Sequence, residues 1–287
     1  MVIELLKSEL EKMDIEANYF ENLQSKDGIY VYRIKIDDKT AVMKYFEKEE
    51  YKREILCYRK LKNDNIDTIP ILYQTDNCII MEDMNSNDKF RIGIKDDLSD
   101  EKVIKAIAKW YKQIHSIKLT EDEKNNFYSE AKLLTKENLE TIQEYDSDNE
   151  CFRFLKLHEK ELLNQHEGYK VCLNYNDFYY TNLVVAKDKS SAFMFDYNLL
   201  GVGYGYNDIR NVCSSLKEDM KDVFLHEYGE FDLKEKITDE WMSPLLTLIF
   251  ASQRDSFPNW AMESLESLKN GSVFKAMKQS LGSDHYA

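Results

Sequence analysis

The sequence contains little proline, little glycine and no long apolar run. Among its 287 residues there are 3 prolines and 9 glycines, so no segment has the composition of a flexible linker. No apolar stretch approaches the roughly 20 residues that a membrane-spanning helix needs, so no such helix is expected. The N-terminal stretch MVIELLKSELEKM mixes acidic and apolar residues in an amphipathic pattern, which predicts a helix and not a signal peptide.

Cysteine is too scattered to indicate a disulfide framework or a zinc site. The 5 cysteines are odd in number, and no two of them form a Cys-x-x-Cys pair. They are Cys57, Cys78, Cys151, Cys172 and Cys213. This pattern is typical of small buried side chains in an intracellular protein, so we expect a cytoplasmic location.

Acidic residues outnumber basic residues in this chain. The chain has 39 Lys and Arg against 53 Asp and Glu, a formal net charge of −14. Nucleic acids and anionic membrane surfaces attract proteins through lysine and arginine, so neither is expected as a partner. An acidic surface that maintains solubility accounts for such a charge, and so does a small cationic substrate.

Hydrophobic periodicity predicts a first part that is rich in strands. A helix over residues 2–13 is followed by strand-like segments, and a second helix over 47–64 carries apolar residues at steps of three and four. The predicted strands are 18–24, 29–36, 40–46, 70–75 and 78–83.

The second part is predicted to be mainly helical. After a loop from Asp83 to Asp100 we expect a helix with Ser99 as its N-cap and with acids in its first turn. Further helices are predicted over 120–145 and 150–166 and from Asn207 onward, with short strands at 169–174, 183–187 and 191–196. The whole chain is therefore predicted to be an α+β protein of two lobes.

Three polar side chains stand at the ends of short apolar strands. Asp177 and Asn182 lie on one loop, and Asp196 follows a hairpin that leads back toward them. Mg²⁺ prefers oxygen ligands, and proteins supply one or two of them together with substrate phosphates. Asn182 and Asp196 suit that role, and Asp177 then suits a base that accepts the proton of a substrate hydroxyl. Alternatively, all three are ordinary turn residues, since Asp and Asn are common in turns.

Upstream, Lys44 occurs in the middle of an apolar strand, and Glu54 follows on the next helix. A strand lysine held by a helix glutamate aims an ammonium group at nucleotide phosphates in kinase folds. The alternatives are a lysine that points outward from its strand and a glutamate on a solvated helix face. The order of these two residues before Asp177, Asn182 and Asp196 favours the kinase interpretation.

These segments resemble the aminoglycoside phosphotransferase and choline kinase-like family, which has the protein-kinase fold. The resemblance covers most of the chain and implies a bilobal kinase-like fold. The lobe of residues 1–84, an antiparallel sheet with one helix, binds the nucleotide; the mainly helical lobe of residues 85–287 carries the catalytic loop and the acceptor site. The matching segments are VMKYF (lysine strand), YKREILCYRKL (glutamate helix), CIIMEDM (strand before the hinge), YNDFYYTN (catalytic loop), FMFDY (metal-binding strand end) and GYNDIRN (following helix).

Carried over residue by residue, the resemblance implies a role for each position. Asp177 is the catalytic base, Asn182 and Asp196 bind Mg²⁺, Lys44 binds the α- and β-phosphates, and Glu54 holds Lys44. The resemblance also implies roles for four further residues. Glu82 and Met84 offer backbone groups to the purine, Gly28 is in the turn over the phosphates, and Asp208 braces the catalytic loop.

Two positions depart from the family pattern. The catalytic loop reads Tyr175-Asn176-Asp177 where the family has His-Gly-Asp, although Asn adopts positive φ more easily than most residues. The turn that covers the phosphates has the single glycine Gly28, which also fits a plain hairpin turn.

The residues and the resemblance together favour a small-molecule kinase that uses Mg²⁺ and ATP or GTP to phosphorylate a hydroxyl of a small, cationic or neutral acceptor. The altered Tyr-Asn-Asp loop motivates a second hypothesis, a non-catalytic nucleotide-binding or scaffold protein of the spore-coat type. A helical interaction protein, in which the acids are incidental, is the third.

Overall fold

The computed structural model describes residues 2–165 and 168–282, which form two compact units. Unit 1 comprises the residues up to Ile117, Asp177–Leu200 and Val212–Tyr228, and unit 2 comprises Lys118–Asn176, Gly201–Asn211 and the residues from Gly229 onward. The division into lobes at residue 84 stays a prediction. Within the described ranges, none of the helices combines the length and the hydrophobicity needed to span a bilayer.

The helices and strands follow the expected α+β order. The helices are α1 (Val2–Lys12), α2 (Arg53–Asn63), α3 (Glu101–Ser116), α4 (Glu121–Asn126), α5 (Lys136–Gln143), α6 (Glu150–Gln165), α7 (Gly205–Ser214), α8 (Glu218–Tyr228), α9 (Leu233–Ser252), α10 (Met262–Lys269) and α11 (Ser272–Ser280). The strands are β1 (Phe20–Lys26), β2 (Ile29–Ile36), β3 (Lys39–Phe46), β4 (Ile71–Gln74), β5 (Cys78–Glu82), β6 (Phe90–Ile92), β7 (Cys172–Asn174), β8 (Leu183–Ala186), β9 (Ala192–Met194) and β10 (Gly201–Gly203).

Unit 1 begins with a five-stranded antiparallel sheet in the order β1-β2-β3-β5-β4. Because side chains alternate along a strand, the two faces of this sheet differ. One face packs on α1 through a cluster that includes Leu6, Leu10, Ile34 and Met43, all buried. Lys44 therefore belongs to the opposite face, to which α2 contributes the buried Glu54.

A second, three-stranded sheet in unit 1 has the order β6-β8-β9. All four residues of β8 are buried, which explains its continuous apolar sequence. In the antiparallel β8–β9 hairpin Leu183 lies opposite Met194, so the residue before β8 and the residues after β9 come to the same end. The amide of Phe195 accordingly donates to the carbonyl oxygen of Asn182 at 2.9 Å. The hairpin thus brings Asn182 and Asp196 to one edge, as its length predicted.

Unit 2 is built around α9. Its buried residues include Trp241, Met242, Leu245 and Ile249, and they pack with apolar residues of α5, α6, α10 and α11. The two-stranded sheet of β7 and β10 completes the unit. Since β7 ends at Asn174, this short sheet sets the direction in which the chain leaves toward Asp177.

Three details differ from the sequence expectations. The N-cap of α3 is Asp100 and not Ser99, because the Asp100 carboxylate accepts from the amides of Lys102 and Val103. The span 120–145 is not one helix, since Thr120 and Thr135 each cap a separate short helix. The loop predicted between Asp83 and Asp100 contains β6, and β10 was not predicted; both strands have three residues, too few for a periodic pattern.

Gly201 offers a test of this arrangement, because a Cβ there would collide with the backbone carbonyl of Tyr128. That carbonyl also accepts from the amide of Val202 at 2.7 Å, so the backbone cannot move away freely. We expect Gly201→Ala to lower the free energy of unfolding by about 1–3 kcal/mol in urea denaturation.

Gly168→Ala is the matched control, since no described residue other than its chain neighbour comes within 4 Å of a Cβ at Gly168. We expect that variant to stay within about 0.5 kcal/mol of wild type. Equal unfolding midpoints for the two variants would contradict the close approach of β10 and Tyr128.

Candidate functional site

Lys44 is the centre of a buried charge cluster in unit 1. Its side chain is 6% exposed, and its Nζ lies 2.6 Å from Glu54 Oε2 and 2.8 Å from Asp196 Oδ1. On β3 its cross-strand neighbours are Val31 and Ile79, so apolar residues surround the ammonium on the sheet. Lys44 therefore does not point outward from its strand, and Glu54 is not on a solvated helix face.

Electrostatics keep Lys44 charged. Burial opposes the charged form, but the carboxylates of Glu54 and Asp196 outweigh it, so the pKa of Lys44 is raised. Burial also raises the pKa of Glu54, against the attraction of Lys44. Since Glu54 is fully buried and its Oε1 has no hydrogen-bond partner in the described chain, the ammonium is its main stabilising contact.

Asp177 and Asn182 lie together on the loop that precedes β8. Asn182 Nδ2 donates to Asp177 Oδ2 at 3.1 Å, which fixes the orientation of the Asn182 amide. Burial raises the pKa of Asp177 to about 6, and the neighbouring charge of Asp196 adds to the shift. A carboxylate with such a pKa is mostly ionised at neutral pH and is a stronger base than an exposed aspartate.

Asp196 is held in an unusual backbone conformation at the end of β9. Its φ is 64°, in the left-handed region that few non-glycine residues adopt. Its Oδ1 accepts from Lys44 and, at 2.7 Å, from Asn198 Nδ2. Asn198, two residues further on, was not singled out in the sequence; the only local signal is the Asp-x-Asn spacing, since such side chains often bond within a turn.

The remaining oxygens at this edge fit Mg²⁺. Among the described residues, Asn182 Oδ1 and Asp196 Oδ2 accept no hydrogen bond, and their neighbouring backbones are joined by the Phe195–Asn182 bond. No three His, Cys, Asp or Glu side chains of the described part form a metal cluster. One amide oxygen and one carboxylate oxygen, with nucleotide phosphates and water, are a suitable ligand set for this ion.

The backbone that leads into Asp177 is held in unit 2 by Asp208. The buried Asp208 carboxylate accepts from the amides of Tyr175 and Asn176, each at 2.8 Å. Asn176 has φ 65°, and its Oδ1 accepts from Asn207 Nδ2 at 2.7 Å, while its carbonyl accepts from Asn211. Asn176 thus takes the left-handed conformation that glycine would take, and Tyr175 is fully buried.

Gly28 is part of a two-residue hairpin turn between β1 and β2. Asp27 and Gly28 both have positive φ, as a type I′ turn requires. The Gly28 carbonyl accepts from the amide of Glu47 at 2.8 Å, and a Cβ at Gly28 would lie 3.2 Å from Lys48 Cγ. The turn is therefore tight and plain, without a glycine-rich loop.

Glu82 and Met84 lie at the end of β5 and differ in their backbone bonds. The Glu82 amide donates to the Pro70 carbonyl at 3.1 Å, so that donor is occupied. Met84 has a buried side chain, and in the described chain no hydrogen bond involves its amide or carbonyl. Of the two backbone amides, that of Met84 is the one without an acceptor in the described chain.

No family model matches this sequence, and no curated protein sequence matches it. Several solved structures, in contrast, match this chain. A choline kinase from Streptococcus pneumoniae matches at 15% identity with a TM-score of 0.63, over 95% of this chain and 99% of that chain.

Two further matches also cover most of both chains. A spectinomycin phosphotransferase, solved with ADP and spectinomycin, matches at 15% identity with a TM-score of 0.55 over 97% of each chain. An ethanolamine kinase from Plasmodium vivax matches at 16% identity with a TM-score of 0.54, over 93% of this chain and 82% of that chain. The chain therefore has the kinase-like fold of these small-molecule phosphotransferases, as its sequence predicted.

Proposed function

We propose that this protein transfers the γ-phosphoryl group of ATP or GTP to a hydroxyl of a small acceptor, with Mg²⁺ as its cofactor. The observation that carries the proposal is the buried Lys44 ammonium between Glu54 and Asp196, at 2.6 and 2.8 Å. Burial of a charged ammonium costs free energy, and in a kinase reaction that charge would bind the nucleotide phosphates. The matching structures support the same class, because their names specify phosphotransfer to choline, ethanolamine and spectinomycin.

Lys44 would bind the nucleotide phosphates. Glu54 holds the ammonium in place from α2, so that the charge is positioned before the nucleotide arrives. Asn182 Oδ1 and Asp196 Oδ2 would hold Mg²⁺, which supplies charge neutralisation on the phosphates when bound. Because the phosphoryl group carries most of the developing charge, positioning and neutralisation account for most of the catalysis.

Asp177 would accept the proton of the acceptor. The acceptor oxygen forms a bond to the γ-phosphorus, the bond to the β,γ-bridging oxygen breaks, and a nucleoside diphosphate leaves. The hydroxyl proton passes to the Asp177 carboxylate late in this step. Asn182 Nδ2 keeps one Asp177 oxygen in place while the other receives the proton.

The cytoplasmic location expected from the scattered cysteines remains part of the proposal.

Asp177→Asn tests the role of the base. The amide keeps the shape of the side chain but accepts no proton, so we expect the rate of transfer to fall by about 10²–10⁴-fold. Binding of Mg·ATP, measured by thermal shift, should persist. The assay is ATP consumption over a panel of hydroxyl-bearing amines, sugars and antibiotics.

Asp188→Asn is the matched control, because Asp188 is an exposed acid in the β8–β9 turn and loses the same charge. It should retain the wild-type rate. Undiminished transfer by Asp177→Asn would exclude Asp177 as the base. Mg·ATP binding by wild type with no transfer to any acceptor would favour the non-catalytic nucleotide-binding hypothesis, and no binding at all would favour an interaction protein.

Asp196→Asn tests the metal site. In wild type we expect ATP with Mg²⁺ to stabilise the protein more than ATP with a chelator, by up to about 2.7 kcal/mol at a ligand concentration of a hundred times Kd. The amide is a weaker ligand and no longer pairs with Lys44, so the difference between the two conditions should largely disappear. Asp188→Asn is again the control and should keep the wild-type difference in stability between the two conditions. If Asp196→Asn kept the same difference as this control, the metal would have to bind elsewhere.

A further inference from the structure

An arginine of β2 lies on the same face of the five-stranded sheet as Lys44. Tyr32 and Ile34 belong to the apolar cluster on α1, so Arg33 between them lies on the opposite face, which is the face of Lys44. Arg33 is opposite Val42 on β3, two residues before Lys44. Two residues of a strand span about 7 Å, so the row of Arg33 is displaced by that distance from the row of Lys44, toward the end of β5.

Arg33 binds the segment that follows β5. Its Nε donates to Oδ2 of the buried Asp83 at 2.6 Å, and Asp83 is the residue before Met84. The Arg33 side chain is itself only 19% exposed. The hydrogen bond to Asp83, with a further one to Glu21, raises the pKa of Arg33 above its usual value. A short, largely enclosed bond between two charged groups is among the stronger polar contacts in a protein.

Asp83 also closes the turn that contains Met84. Its Oδ1 accepts from the amide of Asn85 at 3.1 Å, and its carbonyl accepts from the amide and the hydroxyl of Ser86, each at 3.0 Å. A second tether comes from β3, where Thr40 Oγ1 donates to Ser86 Oγ at 3.0 Å. Because Met84 lies inside this turn, the direction of its unpaired amide depends on Asp83 and on the guanidinium that binds Asp83.

The second partner of the guanidinium is more exposed. Arg33 Nη1 donates to Oε2 of the half-exposed Glu21 at 2.7 Å. Solvent screens such a pair, so it contributes little to order. Among the described residues, Arg33 is the only cation that pairs with Asp83. Arg33 is therefore the residue that compensates the buried carboxylate and holds the turn against the sheet.

We propose that Arg33 is a positioning residue of the nucleotide site, which acts through Asp83 to aim the Met84 amide at a ring nitrogen of the purine. The inference rests on the proposed function and adds a residue of β2 to it. The hydrogen bond of an amide to a base weakens steeply when its distance or angle is wrong. An amide that is held in place beforehand also binds the base without the cost of ordering the turn.

The test separates the base from the phosphates. Mg²⁺-tripolyphosphate has the phosphate chain of a nucleotide without a base, so the contacts of Lys44 and the metal site should suffice to bind it. Wild type is titrated calorimetrically with tripolyphosphate, ATP and GTP, all with Mg²⁺, and the tighter nucleotide is used for the variants. That nucleotide should bind at least about tenfold more tightly than tripolyphosphate. If it binds no more tightly, the base makes no useful contact and the proposal is overturned.

Arg33→Gln should weaken nucleotide binding by about tenfold and leave tripolyphosphate binding within about twofold of wild type. Arg33→Lys keeps the charge and a donor for Asp83, so it should recover part of the affinity. In a transfer assay the KM for nucleotide should rise while kcat changes little, because the base is bound equally in the ground state and the transition state. Equal losses for both ligands would mean a merely structural role and would overturn the proposal.

Asp83→Asn tests whether Arg33 acts through Asp83. Its amide oxygen can still accept from Asn85 but no longer attracts the guanidinium, so the loss of nucleotide affinity should match that of Arg33→Gln. The double variant should bind no more weakly than either single variant, since both changes remove one contact. Additive losses, or a loss in Arg33→Gln alone, would indicate that the guanidinium contacts the nucleotide directly and would overturn the role of Asp83.

Lys35→Gln is the matched control, because it removes one positive charge from the same strand. Lys35 is half-exposed, and its Nζ lies 3.8 Å from Asp38 Oδ1, a loose surface pair. This variant should bind both ligands as wild type does, which excludes a general loss of positive potential. Unfolding temperatures without ligand are compared for all variants. If Arg33→Gln does not fold, Arg33→Lys and Asp83→Asn provide the same comparison.

The two proposals fail separately. If Arg33→Gln weakens nucleotide and not tripolyphosphate binding, but wild type transfers phosphate to no acceptor, the positioning role stands and the kinase function does not. If wild type transfers phosphate and Arg33→Gln has the wild-type KM and nucleotide affinity, the kinase function stands and the positioning role does not.

Discussion

A single buried ammonium organises the candidate nucleotide site. Lys44 is enclosed by a sheet and paired with Glu54 and Asp196, residues that are 10 and 152 positions away in the chain. A buried ion pair is a weak source of stability, because desolvation offsets most of the attraction between the charges. Each of the three groups nevertheless requires the others, since removal of one leaves an uncompensated charge in the interior. The position of α2 and the end of β9 both depend on this contact.

Two charge clusters of the molecule share one electrostatic property. In unit 1 three carboxylates, of Glu54, Asp177 and Asp196, accompany the ammonium of Lys44. In unit 2 three carboxylates accompany the guanidinium of Arg210. Each group therefore has more carboxylates than cationic side chains, and the proposed Mg²⁺ would offset the excess in the first. Burial is the main cause of the raised pKa values of Asp177 and Glu130, and neighbouring carboxylates add to both shifts.

The departures from the family pattern are accommodated by hydrogen bonds. Asn176 replaces a glycine, and Asp208, Asn207 and Asn211 bond its amide, its side chain and its carbonyl. These bonds offset the cost of the left-handed backbone, which is small for Asn. Gly28 shows the opposite case, because the single glycine serves a tight hairpin turn and has no glycine-rich loop around it. The loop geometry that the sequence put in question is thus supported from within unit 2.

The sequence by itself determined most of the strands and helices, except β6, β10 and the break between α4 and α5, and it indicated the residues of the candidate nucleotide site. Period and spacing are local properties, so they placed Lys44 on a strand, Glu54 on a helix, and Asn182 and Asp196 on either side of a hairpin. Only the tertiary structure decided which oxygens of Asn182 and Asp196 stay unbonded among the described residues, and that the Lys44 ammonium is buried between two carboxylates. These properties depend on partners brought together from distant parts of the chain, and on burial, which no local pattern encodes.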